Sequence, residues 1–397
     1  MKSKKIQALI ASLIINLCVG SIYAWSVFAG PLAQTFGWSA SETALTFTIA
    51  NGVGPITMII GGKLQDQYGP RWVVFAGAFL FGGGMFASGF AESVSWLYVT
   101  YGLCMGFGLG TIYSCTIANT VKLFPTKKGL ISGAATCVYG LATVVAAPLA
   151  QKLIVIYGVS EAFKILGIVY FVVVAVCSQF LIKADIEASD EVILNEAREK
   201  DWKQMLASPM FYVLMVMLLF GATSGLMIIG QASIMAQELI QVSAAAAAMG
   251  VSIIAVANAL GRIVWGKISD RAGRYQVLTV MFGMITLAMA AMTRVGEGQW
   301  IIFILLMMAI AFCFGGFMGI FPALTAETFG IRNNGVNYGF MFIGFALGGY
   351  IGPKLATALK VTELGMYSMA FVIAALMAAA GILISGMLCR YDKRADS

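Results

Sequence analysis

The stretch "NALGRIVWGKISDRAGR", residues 258–274, places Asn258 and Arg262 inside an apolar run and closes that run with Lys267, Asp270, Arg271 and Arg274. Whether a guanidinium is tolerable there depends on whether the run lies in a bilayer, and the surrounding chain answers this. Of 397 residues, 60% are hydrophobic and only 11% are charged, against about 25% charged in a soluble domain. The 45 glycines suit helices that approach closely in lipid. Apolar runs near the ~20 residues needed to cross hydrocarbon recur along the whole sequence. Twelve are expected, at roughly 6–31, 41–62, 72–91, 95–120, 129–157, 161–182, 209–237, 243–266, 276–294, 299–326, 335–359 and 364–389. The fold class is therefore an all-α membrane protein of twelve transmembrane helices.

The first run follows only MKSKK and has no small-residue cleavage site, so it reads as a retained span rather than a signal peptide. There is no histidine, and the seven cysteines lie singly in apolar runs without CxxC spacing. Buried, inert thiols are expected, with no metal site and no cofactor. The net charge of +7 need not point to nucleic acid, and none is expected as a partner. With the N-terminus in the cytosol, most basic residues, including Lys5, Lys63, Arg71, Lys122, Lys183, Lys267, Arg332 and Arg390, fall in loops on the cytosolic side. The positive-inside rule then places both termini in the cytoplasm and supports an even number of spans.

One polar segment, "KADIEASDEVILNEAREKDWKQ" at 183–204, separates six spans from six. It divides the chain into an N-terminal six-helix bundle over 1–182, a cytoplasmic linker over 183–207, partly helical along 190–204, and a C-terminal six-helix bundle over 208–397. The halves repeat. "GGKLQDQYGPRWVV" (61–74) follows the second span and "WGKISDRAGRYQVL" (265–278) the eighth, with Asp66 and Asp270 204 residues apart. "KLFPTKKGLISG" (122–133) and "ETFGIRNNGVNYG" (327–339) place Phe124 and Phe329 205 apart, the same spacing as Pro148 and Pro353. Two parallel, pseudo-symmetric halves with a site near the midplane between them follow from such a repeat. The two loop stretches, G-K-L-x-D-x-x-G-P-R and G-K-I-S-D-R-x-G-R, resemble the loop signature of the major facilitator superfamily. The resemblance implies that fold and a role for Asp66, Arg71, Asp270 and Arg274 in gating loops. The aspartates can pair with basic groups or a helix N-terminus, and they read as latches rather than substrate ligands.

Arg262 precedes Asp270 by about 12 Å of helix, which puts it inside the membrane and somewhat toward the cytosol. A lone charge there costs at least ~2.5–3.5 kcal/mol and normally faces a partner or a wet cavity. Glu42, Glu92, Glu161, Glu238, Glu297 and Glu363 fall at outer ends of spans, and the other acids at cytosolic loops or termini. No protein carboxylate is expected at the depth of Arg262. A substrate anion can supply the missing charge, since guanidinium matches carboxylate bidentately. The alternatives are snorkelling to the cytosolic surface or pairing with backbone carbonyls at a helix end. Asn258, one turn earlier on the same face, can orient the guanidinium, bind substrate or make an ordinary interhelical bond. Lys354 is the second charge within a span. It lies about 28 Å of helix beyond Gly335, in the outer third, as a site cation or as an interfacial anchor.

Aromatic rings among glycines recur in "GSIYAWSVFAGPL" (20–32), "GFGLGTIYS" (106–114), "CVYG" (137–140) and "CFGGFMGIFP" (313–322). Any single ring can simply pack, but recurrence in spans one, four, five and ten suits a lined transport cavity. Tyr23, Tyr113 and Tyr139 rank first.

Taken together, "GSIYAWSVF", N-x-x-x-R in span eight and "NYGF" (337–340) resemble the oxalate/formate antiporter family and the related bacterial monocarboxylate porters. The resemblance implies that Tyr23, Tyr113 and Tyr139 are cavity tyrosines and that Arg262 is the span-eight arginine. Phe314 stands where that family has a cavity tryptophan, Met318 where it has a tyrosine, and Phe345 where it has an essential lysine. Two opposed cations suit oxalate. One suits a monocarboxylate such as lactate, pyruvate or formate. Animal monocarboxylate porters carry an aspartate where Asn258 stands, and asparagine cannot titrate. The expected function is secondary transport of a small carboxylate anion by alternating access, through anion exchange or with the proton carried on the substrate, with an oxalate/formate antiporter as the alternative. A multidrug exporter ranks below these, because the buried charge is positive. Nitrate and phosphate-ester porters also use buried arginines, but their signatures are missing beyond the shared loops. A membrane enzyme would need a nucleophile, an acid pair or a metal set. A monomer in the inner membrane of a prokaryote is expected.

Overall fold

The computed structural model describes residues 2–184, 199–362 and 365–395. Most of the expected linker, residues 190–198 of the helical stretch foreseen along 190–204, and Glu363 lie outside the described residues. Among those described, twelve helices are long and apolar enough to cross a membrane. They are α1 (Ser3–Phe36), α2 (Ser41–Tyr68), α3 (Pro70–Ser88), α4 (Val94–Leu123), α5 (Lys128–Tyr157), α6 (Val159–Ser178), α7 (Pro209–Leu239), α8 (Ala245–Ala272), α9 (Arg274–Met292), α10 (Trp300–Phe329), α11 (Asn334–Ala358) and α12 (Ser368–Arg390). The number matches the sequence reading, with ends that differ by a few residues. A short helix, Trp202–Leu206, precedes α7, and a two-strand hairpin, β1 (Val361–Thr362) and β2 (Gly365–Met366), joins α11 to α12. The hairpin pairs antiparallel, Val361 with Met366 and Thr362 with Gly365.

The repeated loops are nearly the shortest connections possible. One residue, Gly69, separates α2 from α3, and one residue, Gly273, separates α8 from α9. Their φ values of +83° and +90° belong to a region that costs a side chain free energy and glycine none. This is why the two sequence copies share a glycine at that place, and Pro70 then begins α3 with a φ already set for a helix.

The chain packs as two compact units. The first comprises Met1–Pro125, Val138–Trp202 and Thr325–Phe340, and the second Thr126–Cys137, Lys203–Leu324 and Met341–Ser397. Their boundaries fall within α5, α10 and α11. In the first unit α3 lies along α6, where a Cβ on Gly82 would strike the Gly167 carbonyl and one on Gly167 the backbone of Phe86. In the second unit α9 lies along α12, with Gly381 under the ring of Phe282. Glycine contact of this kind drives association where lipid is as apolar as leucine. Many large apolar side chains remain outward, Val155, Leu287, Ile301 and Leu383 among them. Such surface suits hydrocarbon and would be an aggregation hazard in water. All seven cysteines are free thiols.

Candidate substrate site and gating loops

Arg262 is buried on α8, 7% exposed, as is Asn258. Its Nε donates to the Asn258 side-chain oxygen at 3.0 Å, and its Nη1 donates to the backbone carbonyl of Thr136 on α5 at 2.6 Å. No carboxylate among the described residues forms an ion pair with it. Glu42 is taken up by Ser39, Glu161 by Lys164, and Glu238 by Lys360 and the Tyr367 hydroxyl. The guanidinium is thus hydrogen-bonded but not neutralised. It does not reach the surface, so snorkelling is not what the side chain does; backbone pairing does occur, to one carbonyl within a neighbouring helix.

Three glycines hold that junction together. A methyl group on Gly133 of α5 or on Gly319 of α10 would run into the Arg262 carbonyl, and one on Gly315 into the Asn258 carbonyl. The Ser132 hydroxyl donates to the Gly319 carbonyl. α5, α8 and α10 therefore meet backbone to backbone at the arginine, and the bonds to Asn258 and Thr136 set the direction of its long side chain. Among the described residues, Asn258 Nδ2 is buried there without a partner, a donor beside a cation.

Phe314, one residue before Gly315, stacks on Phe345 with centroids 6.2 Å apart, and Phe345 stacks on Phe342 at 4.5 Å. Gly225 on α7 leaves room for the Phe314 ring. In the first unit, Tyr139 of α5 is the middle ring of three. Tyr23 meets it edge-on at 5.5 Å and Tyr113 meets it tilted at 4.7 Å. Gly20, in a tight 3-10 turn within α1, lies against the Tyr139 carbonyl, and this brings Tyr23 alongside. Tyr113 and Tyr139 are buried, whereas Tyr23 is 40% exposed.

The two loop aspartates do parallel work. Asp66 accepts from the backbone N–H of Gly335 at 3.2 Å and Val336 at 3.0 Å, in the first turn of α11, and from Lys122 Nζ at 2.5 Å. Asp270 accepts from Gly129 at 2.8 Å and Leu130 at 2.9 Å, in the first turn of α5, and from Arg274 at 2.7 Å. First-turn N–H groups lack acceptors within their own helix and carry its positive dipole end, so a carboxylate fits there on both counts. Gly62 touches the Gly335 carbonyl and Gly266 the Gly129 carbonyl, the close approach that lets each aspartate reach.

The family model described as Major Facilitator Superfamily matches residues 9–353 and 229–397. The chain belongs to the major facilitator superfamily. It is 32% identical over 350 residues to the uncharacterised MFS-type transporter YhjX of Escherichia coli K12, covering 86% of this chain and 84% of that one. It is 27% identical over 368 residues to the oxalate:formate antiporter of Oxalobacter formigenes, covering 92% and 87%. A chicken (Gallus gallus) relative named monocarboxylate transporter 9 is 30% identical over 151 residues, 38% of this chain and 30% of that one. Among solved structures, FucP in an outward conformation superposes with a TM-score of 0.76 at 14% identity over 96% of this chain and 98% of that one. That likeness concerns the fold alone. Members of this superfamily are transporters, and this chain is an integral, multi-pass membrane protein of twelve spans.

The structure joins Arg262 with Asn258, the three tyrosines with one another, and Asp270 with Arg274. Other candidates stand apart. Lys354 is exposed, and its polar partner is the Tyr350 hydroxyl one turn away, with the ammonium 4.3 Å from that ring's centre. Arg71 donates to Gln179 at 2.8 and 2.5 Å and lies over Trp72, not beside Asp66. Sequence reasoning missed Lys122, the real counter-ion of Asp66, and Thr136. Lys122 left a weak signal as a lone lysine ending an apolar span. Thr136 left none, because any residue carries the carbonyl it uses.

Proposed function

We propose that this transporter moves small monocarboxylate anions of the lactate, pyruvate or formate class by alternating access, and that Arg262 is the cation that receives them. The observation that carries the reading is a buried guanidinium with two neutral acceptors and no carboxylate partner among the described residues. A substrate carboxylate would complete the charge, and the unpartnered Asn258 Nδ2 would give it a further donor. The tyrosine trio lines the route within the first unit, where hydroxyls and ring edges select shape. The relatives whose names mention oxalate, formate and monocarboxylate support the substrate class.

Size and charge of the preferred anion follow from the stacked rings of the second unit and from the state of Lys354. Phe345 is stacked against Phe314, and Lys354 is occupied by Tyr350. This favours one carboxylate with a small apolar remainder over the dianion oxalate. Oxalate/formate exchange is the second reading, supported by the 27% identity to the oxalate:formate antiporter. Aspartate latches at Asp66 and Asp270 gate the two halves, residues 1–182 and 208–397, with both termini in the cytoplasm of a prokaryotic inner membrane.

Coupling follows from charge. An empty, closed site would leave a bare guanidinium at low dielectric, while a bound anion neutralises it and lowers the cost of closing over dry contents. Crossing is then fast loaded and slow empty, which gives exchange. Purified protein in liposomes, offered labelled lactate, pyruvate, formate and oxalate with and without anion inside, tests this. Monocarboxylate uptake stimulated by internal anion is the expected result, and uptake of oxalate alone would favour the second reading.

A further inference from the structure

The chain that leads into the second six spans grips the same loop that Asp66 latches. Glu199 accepts from the backbone N–H of Ile331 at 2.9 Å and of Arg332 at 3.2 Å. Lys200 donates its N–H to the Phe329 carbonyl at 2.9 Å, and its own carbonyl accepts from Asn333 and Asn337 side chains at 3.3 and 3.1 Å. Trp202 stacks on Phe340, centroids 5.8 Å apart and planes 12° apart. Gly330 has φ +91°, and a Cβ on it would strike the Glu199 carboxyl.

These bonds run directly into the latch. The Arg332 N–H goes to Glu199, and the Arg332 carbonyl accepts from Lys122 Nζ at 2.8 Å. Lys122 is the ammonium paired with Asp66, and Asp66 holds the N–H groups of Gly335 and Val336. Arg332 therefore links two carboxylates through its backbone, and the loop between α10 and α11 is held from both ends.

We infer that Glu199 is a positioning residue of the gate: it seats the loop over residues 330–336 so that Lys122 and the α11 N-terminus present themselves to Asp66. The inference rests on reading Asp66 as a latch. It makes the stretch 199–202 part of the gate rather than a passive tether, so whatever displaces that stretch weakens the latch without touching Asp66.

Hydrogen–deuterium exchange of the full-length protein in lipid nanodiscs, resolved to single amides, tests this without knowledge of the substrate. Glu199→Ala is expected to speed exchange at Ile331 and Arg332, which lose their acceptor, by roughly tenfold. It is also expected to speed exchange at Gly335 and Val336, whose acceptor is Asp66, while Gly129 and Leu130 at the Asp270 latch stay unchanged. Glu199→Gln keeps an acceptor oxygen and a similar shape; it should act in the same direction with a smaller effect, and it carries the test if the alanine variant fails to fold. Acceleration confined to residues 331 and 332 would overturn the inference, since Glu199 would then be a local cap. Equal acceleration at 129 and 130 would also overturn it, as general loosening. Asp66→Asn must speed 335 and 336 on its own; if it does not, the latch reading fails, separately from the role of Glu199.

Discussion

Arg262 satisfies two of its N–H groups on an amide oxygen and a peptide carbonyl, acceptors that hold its direction without cancelling its charge. Removing Asn258 tests the holding. Asn258→Ala should weaken apparent affinity for the transported anion by about tenfold, the worth of one hydrogen bond to a charged group, with the maximal rate less affected. Asn258→Asp tests the charge. A carboxylate at that position pairs with the guanidinium and competes with substrate, so uptake at neutral pH should collapse. Acidification should restore it as the new aspartate protonates and releases the arginine. An uptake profile against pH, laid over that of the wild type, reads this directly. Lys354→Ala is the counter-test. The side chain is exposed and paired to its own helix, and such a surface contact is worth less than ~1 kcal/mol, so KM should hold.

At the scale of helices, the junction around Arg262 depends on backbone contacts that only glycine permits. Gly319→Ala forces α10 away from α8 at Arg262. Overpacking of this kind costs about 1–3 kcal/mol, and melting of the detergent-solubilised protein should show it. The loop residues make a second comparison. Asp66→Asn removes a charge that serves two N–H groups and a buried ammonium; Arg71→Ala removes an exposed bond to Gln179. Thermal stability should fall clearly for the first and barely for the second, although both residues belong to one sequence signature. Asp66 and Asp270 are legible in a repeated loop, because the spacing, the glycine and the carboxylate recur together. Lys122 and Glu199 are not, because their partners are peptide groups and side chains more than fifty residues away and no periodicity marks them. Any one ring of the tyrosine trio reads as packing on its own; the recurrence of glycine-flanked aromatics in four spans singles the three out, and the family resemblance names the same residues.

For the whole molecule, the twelve spans and the twofold repeat were readable from hydropathy and two loop motifs, since a bilayer leaves a chain few choices. The two compact units were not, because their borders run through α5, α10 and α11 and follow helix packing rather than chain order. The function proposed at this scale is exchange, and under that proposal it depends on the charge at Arg262. Uptake of labelled pyruvate and formate into proteoliposomes carrying Arg262→Gln, with Arg262→Lys alongside, measures that dependence most directly. Loss of uptake in the glutamine variant with partial retention in the lysine variant is the predicted result. Undiminished uptake by Arg262→Gln would contradict a role for this guanidinium as the anion's receptor.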